Sequence, residues 1–137
     1  MSLFARWRAF LERRRPGQLS EWFFVTFDDQ VVRLHVEPRG REPWDAQFTW
    51  ASVVRVCFLA EDLYASDGIY VFTTQRPESY GIPTEARGGA DLWEEILRRK
   101  LFDASLAIDA AMSEGRVYCW PPGPPPPPTP PTSSVQK

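Results

Sequence analysis

The chain has few of the side chains that usually carry catalysis or bind metals. Its 137 residues include one histidine, His35, and two cysteines, Cys57 and Cys119. One histidine and two separated cysteines cannot complete a standard structural zinc site without carboxylates. No nucleophile elbow and no phosphate-binding glycine loop is present. We therefore expect no catalytic residue, no cofactor and no metal, and His35 and Cys57 are only weak candidates for reactive groups.

The chain also lacks a long apolar run and a strong excess of one charge. Nothing near residue 1 resembles a secretory signal, and no stretch approaches the ~18–20 apolar residues that span a bilayer. The formal net charge is −2. Residues 1–15 are rich in arginine and therefore positively charged, so residues 16–137 together are acidic. An acidic body does not favour nucleic acid. We expect a soluble cytoplasmic protein with reduced thiols that binds no nucleic acid.

The first 16 residues are predicted to form an amphipathic basic helix. Apolar residues recur there at helical spacing and arginines flank them, and Pro16 ends the pattern. Two roles stay open: attachment to an anionic membrane surface through residues 1–15, or docking on the domain's own sheet. The candidate interaction residues in this segment are Trp7, Arg8, Arg13 and Arg14.

Residues 20–120 are predicted to form a single α+β domain. Period-two alternation and turn residues indicate strands over 21–27, 31–37, 44–50, 53–59, 69–74 and 79–82. Short links between them favour a mostly antiparallel sheet of about five or six strands. An N-terminal helix and two C-terminal helices, over 91–101 and 104–113, complete the prediction. This order fits a pleckstrin-homology-like roll, and equally an open sheet with helices on one face.

An acidic loop is predicted over 61–68, between two of these strands. Glu61, Asp62 and Asp67 cluster there and are candidates for contacting a basic partner. The alternating aspartates of a calcium loop are absent, so a solvated acidic loop is the simpler interpretation.

Residues 121–137 are predicted to be a disordered proline-rich tail. Nine of the eleven residues from Pro121 to Pro131 are proline, which favours a solvated polyproline II segment. Such segments dock in aromatic-lined grooves, but no Arg or Lys lies within the run to orient it on an SH3-type partner.

A series of landmarks runs along residues 46–120. They are Trp50 before the 53–59 strand, Asp67 before Ile69–Phe72, Ile82-Pro83 leading into Glu85-Ala86, Leu92, Leu97, Phe102-Asp103, Ala111-Met112 and Cys119-Trp120. Together these landmarks resemble a group of small bacterial proteins with no assigned activity, and neither terminal segment takes part. The resemblance implies no catalytic role, and this chain departs from the pattern where Arg99-Lys100-Leu101 replaces a Pro-Gly step.

These features predict a non-catalytic protein–protein interaction module, for example an inhibitor or an immunity-type partner of another bacterial protein. The first alternative is a peripheral membrane protein attached through residues 1–15. The second is an enzyme of unknown reaction that uses His35, Cys57 or the acidic loop.

Overall fold

Seven strands in two antiparallel sheets make up most of the regular secondary structure of the described chain. This computed structural model describes residues 19–63, 66–113 and 115–122. The first sheet has the order β1-β2-β3 and the second has the order β6-β5-β4-β7. The strands are β1 (Phe23–Phe27), β2 (Val31–Val36), β3 (Trp44–Thr49), β4 (Val53–Leu63), β5 (Ser66–Thr73), β6 (Tyr80–Pro83) and β7 (Val117–Trp120).

Two α-helices lie between β6 and β7 in the chain: α1 (Gly89–Arg98) and α2 (Ala104–Ala111). The buried side chains Leu92 and Ile96 of α1 are four residues apart, so they lie on one face of the helix. The helix ends in a Schellman arrangement, in which Leu101 N–H donates to the Ile96 carbonyl. Lys100 takes the left-handed conformation there, with φ 61°, a conformation that glycine adopts at lower cost.

The turn between β1 and β2 is built by an aspartate. The Asp28 carboxylate accepts hydrogen bonds at 2.8 Å from the backbone N–H groups of Gln30 and Val31. These bonds lower the pKa of Asp28, since they stabilise its ionised form. The hairpin register that follows pairs Phe23 with Val36. Alternation along β2 therefore turns Val32, Leu34 and Val36 into the core.

One hydrophobic core lies between the inner faces of the two sheets. Phe48 of β3 and Tyr80 of β6 meet across it, with ring centroids 4.8 Å apart. In the second sheet Val56 and Phe58 point inward, whereas Cys57 between them belongs to the outer face. Both helices pack on the inner side, where Trp93 of α1 contacts Phe58.

The two edges of the three-stranded sheet, β1 and β3, are covered differently. The outer edge of β1 is occupied by Arg87, which donates to the Phe23 carbonyl at 2.9 Å and accepts from Val25 N–H at 2.7 Å. Gly88 follows it with φ 86°. Among the described strands, β3 pairs only with β2 and β6 pairs only with β5. The open edge of the three-stranded sheet is therefore β3.

The predicted fold class is wrong in several respects. The described chain is mostly β, with two sheets and seven strands instead of one sheet of five or six. The strand missed by the prediction is β7, which follows both helices and pairs with β4. A pleckstrin-homology-like order of strands followed by a closing helix does not fit this arrangement. The predicted helix over residues 1–16 lies outside the described residues.

Two further expectations need correction. The predicted acidic loop over 61–68 is instead occupied by the end of β4 and the start of β5. The expected reduced thiols are joined in a disulfide between Cys57 and Cys119. These residues are direct cross-strand partners on β4 and β7, a proximity that spacing along the chain does not show. The candidate thiol nucleophile Cys57 is therefore bonded.

Candidate functional site

The surface around β3 combines an exposed tryptophan with two concave regions. Trp44, the first residue of β3, is 37% exposed and packs edge-on against Phe23, with ring centroids 6.3 Å apart. Its indole N–H has no hydrogen-bond acceptor within the described residues. We call residues 44–47, together with the two hollows that border them, the β3 surface.

The first hollow lies on the outer face of the three-stranded sheet and has a volume of about 410 Å³. Alternation along the strands places Phe24, Arg33, His35, Asp45 and Gln47 on this face. Directly opposed pairs across the strands are Phe24 with His35 and His35 with Asp45. The Phe24 and His35 rings stack at 5.9 Å between centroids.

His35 is held between two carboxylates in the first hollow. Its Nε2 lies 2.7 Å from Glu37 Oε2, and its Nδ1 lies 2.6 Å from Asp45 Oδ1. The hydrogen bond to Glu37 is the largest cause that raises the pKa of His35, followed by the bond to Asp45. A ring with a carboxylate at each nitrogen is stabilised as imidazolium, which donates both bonds. This arrangement offers no free ring nitrogen to a metal or to a substrate proton.

The second hollow, which we call the edge cleft, lies between β3 and β6 and has a volume of about 320 Å³. Its lining includes Trp44 and Ala46 of β3 and Tyr80 and Gly81 of β6. Arg76 places its guanidinium over the Tyr80 ring, 3.7 Å from the centroid. Two bonds hold Arg76 there, from Nε to the Glu78 carbonyl and from the terminal nitrogen to the carbonyl of residue 79. The cleft is therefore aromatic, with a fixed cation at one side.

Of the predicted candidates that the structure describes, most do not belong to this site. Trp7, Arg8, Arg13 and Arg14 lie outside the described residues, as do the side chains of Glu61 and Asp62 on β4. Asp67 is 9% exposed and lies within β5, so its carboxylate is not offered at the surface. His35 belongs to the outer face of the first sheet and Cys57 to that of the second, so the two share no cleft. Among the candidates whose side chains the structure describes, His35 alone borders the β3 surface.

Sequence reasoning missed Trp44, Arg76 and Tyr80. The available signal was a tryptophan at the start of a strand directly after Pro43, since proline favours strand starts and edges. Tyr80 of β6 and Arg76 of the turn before β6 reach the same cleft from the side of the second sheet. Alternation along one strand does not show which residues of another sheet lie opposite it. In the described part of the chain, no three His, Cys, Asp or Glu side chains lie close enough together to hold a metal ion.

Comparison of the chain with protein families, with curated proteins and with solved structures finds no match. The resemblance to a group of small bacterial proteins therefore stays a prediction from the sequence. No helix within the described ranges is long and apolar enough to cross a membrane.

Proposed function

We propose that this protein is a non-catalytic protein–protein interaction module and that it contacts its partner through the β3 surface. The observation that carries this proposal is Trp44, a large aromatic side chain exposed beside an open strand edge. Its indole N–H has no acceptor in the described part of the chain. An inhibitor or immunity-type role is the narrower form of the same proposal.

The chemistry of the β3 surface supports this reading. Binding energy at protein interfaces concentrates in a few Trp, Tyr and Arg side chains, and Trp44, Tyr80 and Arg76 meet at the edge cleft. The edge of β3 also offers backbone N–H and C=O groups to an extended segment of a partner, apart from the Gln47 carbonyl, which accepts a hydrogen bond from the Tyr80 hydroxyl at 3.4 Å. The cleft would accept an apolar side chain of that segment.

Charged groups lie on the opposite face of β3 from Trp44, where they would form a polar rim if the partner extends round the strand edge. In the first hollow, His35 lies between the carboxylates of Asp45 and Glu37, and Arg33 on the same face pairs with Asp28. Both signs of charge are therefore present within a few ångströms. Such a pattern selects a partner by matching its charges more than by adding affinity.

The alternatives have less support. The enzyme alternative relied on His35 and Cys57 sharing a cleft, and they lie on different sheets, so we do not pursue it. Attachment to a membrane surface rests on residues 1–15, which lie outside the described chain. The expected cytoplasmic location is left out of this proposal, because the Cys57–Cys119 disulfide argues against a reducing compartment.

The proposal is tested by binding with one matched pair of variants. The full chain is used as bait in an extract of its native host, and a protein captured in stoichiometric amount is purified and titrated calorimetrically. Trp44→Ala should weaken binding by at least ~30-fold, the effect of an interface hot spot. Val54→Ala, which removes an apolar side chain 51% exposed on β4, should leave affinity unchanged.

Thermal unfolding of both variants shows whether they remain folded, since Trp44 also packs on Phe23. If folded Trp44→Ala binds the partner as tightly as the unaltered chain, the β3 surface is not the contact surface. Equal losses in both variants would also contradict the proposal.

A further inference from the structure

The edge cleft has the chemistry of a groove that accepts proline-rich chain. Trp44 lines the cleft with an exposed ring, and Gly81 has no side chain to fill the space. Tyr80 also lines it, but this residue is 5% exposed beneath the Arg76 guanidinium, so Trp44 supplies the accessible aromatic face. Polyproline II segments dock in grooves lined by aromatic rings, because proline rings pack flat against them. The cleft therefore matches one class of ligand better than a general apolar surface would.

The hydrogen-bonding pattern points to the same ligand. A run of prolines has carbonyl acceptors but no backbone N–H donors. Such a run needs donors from its receptor, and the indole N–H of Trp44, a side chain 37% exposed, is a donor without an acceptor in the described residues. A tryptophan that presents its ring and its N–H together satisfies both requirements.

The chain carries such a ligand close to the cleft. In the second sheet, Trp120 pairs with Val56, Val56 with Val71, and Val71 with Tyr80. Trp120 and Tyr80 thus end one cross-strand row, about 14 Å apart at ~4.8 Å per strand spacing. The proline run begins at the next residue, Pro121. Its eleven residues would extend about 34 Å as polyproline II at ~3.1 Å per residue, more than twice that separation. The row itself is buried at Val56 and Val71, so the run would pass over the surface of the sheet.

We propose that the proline run 121–131 docks in the edge cleft of its own chain, an inference that rests on the proposed role of the β3 surface. It packs against Trp44 and accepts a hydrogen bond from the indole N–H. Tethering so close to the cleft gives the tail a high effective concentration, on the order of millimolar. The tail therefore competes with the partner for the same surface and lowers the apparent affinity of the module.

The test uses the full chain and a full-length variant in which residues 124–128 are changed from proline to serine. Indole ¹H–¹⁵N signals are recorded for both, and Trp44→Phe assigns the Trp44 signal among the six tryptophans. We expect the serine variant to shift the Trp44 indole signal and the backbone amides of Ala46 and Gly81. The matched control, Ser133→Ala with Ser134→Ala beyond the proline run, should shift none of them.

Two results would overturn the inference. One is a Trp44 indole signal that coincides in the full chain and the serine variant. The other is a shift that disappears on dilution, since the tail of a second copy would then occupy the cleft. A shift that persists on dilution supports docking within one chain.

The partner titration separates this inference from the proposed function. If the tail competes, the serine variant binds the partner more tightly than the unaltered chain does. The gain in affinity is the inverse of the fraction of unaltered chains whose tail is undocked, and the indole shifts measure that fraction. If the tail does not dock, Trp44→Ala still loses the partner while the serine variant binds it like the unaltered chain. If the β3 surface binds no partner, the indole shifts remain and the titrations show no effect of Trp44→Ala.

Discussion

Replacing Gly88 by alanine should destabilise the domain through one identifiable contact. Gly88 has φ 86°, and a Cβ added there would lie 2.2 Å from the Val25 carbonyl oxygen. The left-handed conformation costs an alanine about 1–2 kcal/mol. To relieve the clash the backbone must move away from β1, which weakens the two hydrogen bonds between Arg87 and β1. Each is worth about 0.5–1.5 kcal/mol, so we expect a total loss of about 2–5 kcal/mol.

The matched control is Gly40→Ala. Gly40 also has a positive φ, 74°, but nothing lies within 4 Å of an added Cβ. This variant carries the conformational cost alone, and the entropy that alanine removes from the unfolded chain is common to both variants. In urea unfolding followed by circular dichroism, Gly88→Ala should lose about 1–3 kcal/mol more than Gly40→Ala.

Amide hydrogen exchange gives a second readout of the same prediction. Exchange at Val25, whose N–H donates to Arg87, should accelerate in Gly88→Ala and not in Gly40→Ala. Equal losses of stability in the two variants, with unchanged exchange at Val25, would refute the reasoning. The docking of Arg87 on β1 would then contribute nothing measurable.

Two further predictions concern His35 and the disulfide. Because its carboxylate neighbours raise its pKa above the usual 6.5, the stability that His35 contributes should be present below pH 6.5 and lost as pH rises through the folded-state pKa. Asp45→Asn should lower the pKa measured by NMR titration, and an unchanged pKa would contradict the bonding. Reduction of Cys57–Cys119, 62 residues apart, should destabilise the domain by up to about 4 kcal/mol in the chain-entropy model. The measurement is urea unfolding with and without reductant, and a Cys57→Ser/Cys119→Ser variant insensitive to reductant is the control.

Local patterns in the sequence predicted most of the individual elements. The β1–β2 hairpin follows from alternation and from the turn chemistry of Asp28, and both are readable within a dozen residues. Helix α1 follows from apolar spacing and from Asp91 and Arg98, which suit the helix dipole. The helix ends at Arg99-Lys100-Leu101 because Lys100 takes the left-handed conformation there.

The errors concern elements whose identity depends on distant partners. The four residues of β7 are too few for alternation to identify a strand, and they become one only beside β4. The sequence pattern predicts that Asp67 lies in a loop, yet in the structure it belongs to β5 and is buried. The division into two sheets was missed for the same reason, since alternation indicates which side chains share a face but not which strands are neighbours.

The candidate site shows the same separation. The sequence shows His35 as the sole histidine but does not show both of its carboxylate partners. Glu37 directly follows β2, the strand of His35, whereas Asp45 lies on the neighbouring strand β3. Trp44 drew attention only as the first residue of a strand. Its role in the edge cleft depends on β6 and on the turn before it, which bring Tyr80 and Arg76 from more than 30 residues away.

By itself, the sequence determined the strands with clear alternation, the two helices before residue 113, the poor catalytic inventory and the abrupt change to proline after Trp120. These properties depend on side chains close together in the chain. Tertiary structure alone decided the split into two sheets, the pairing of Cys57 with Cys119, and the open edge of β3 facing β6 across an aromatic cleft. Each of these depends on which distant segments become neighbours, which is settled by the packing of one core between the two sheets.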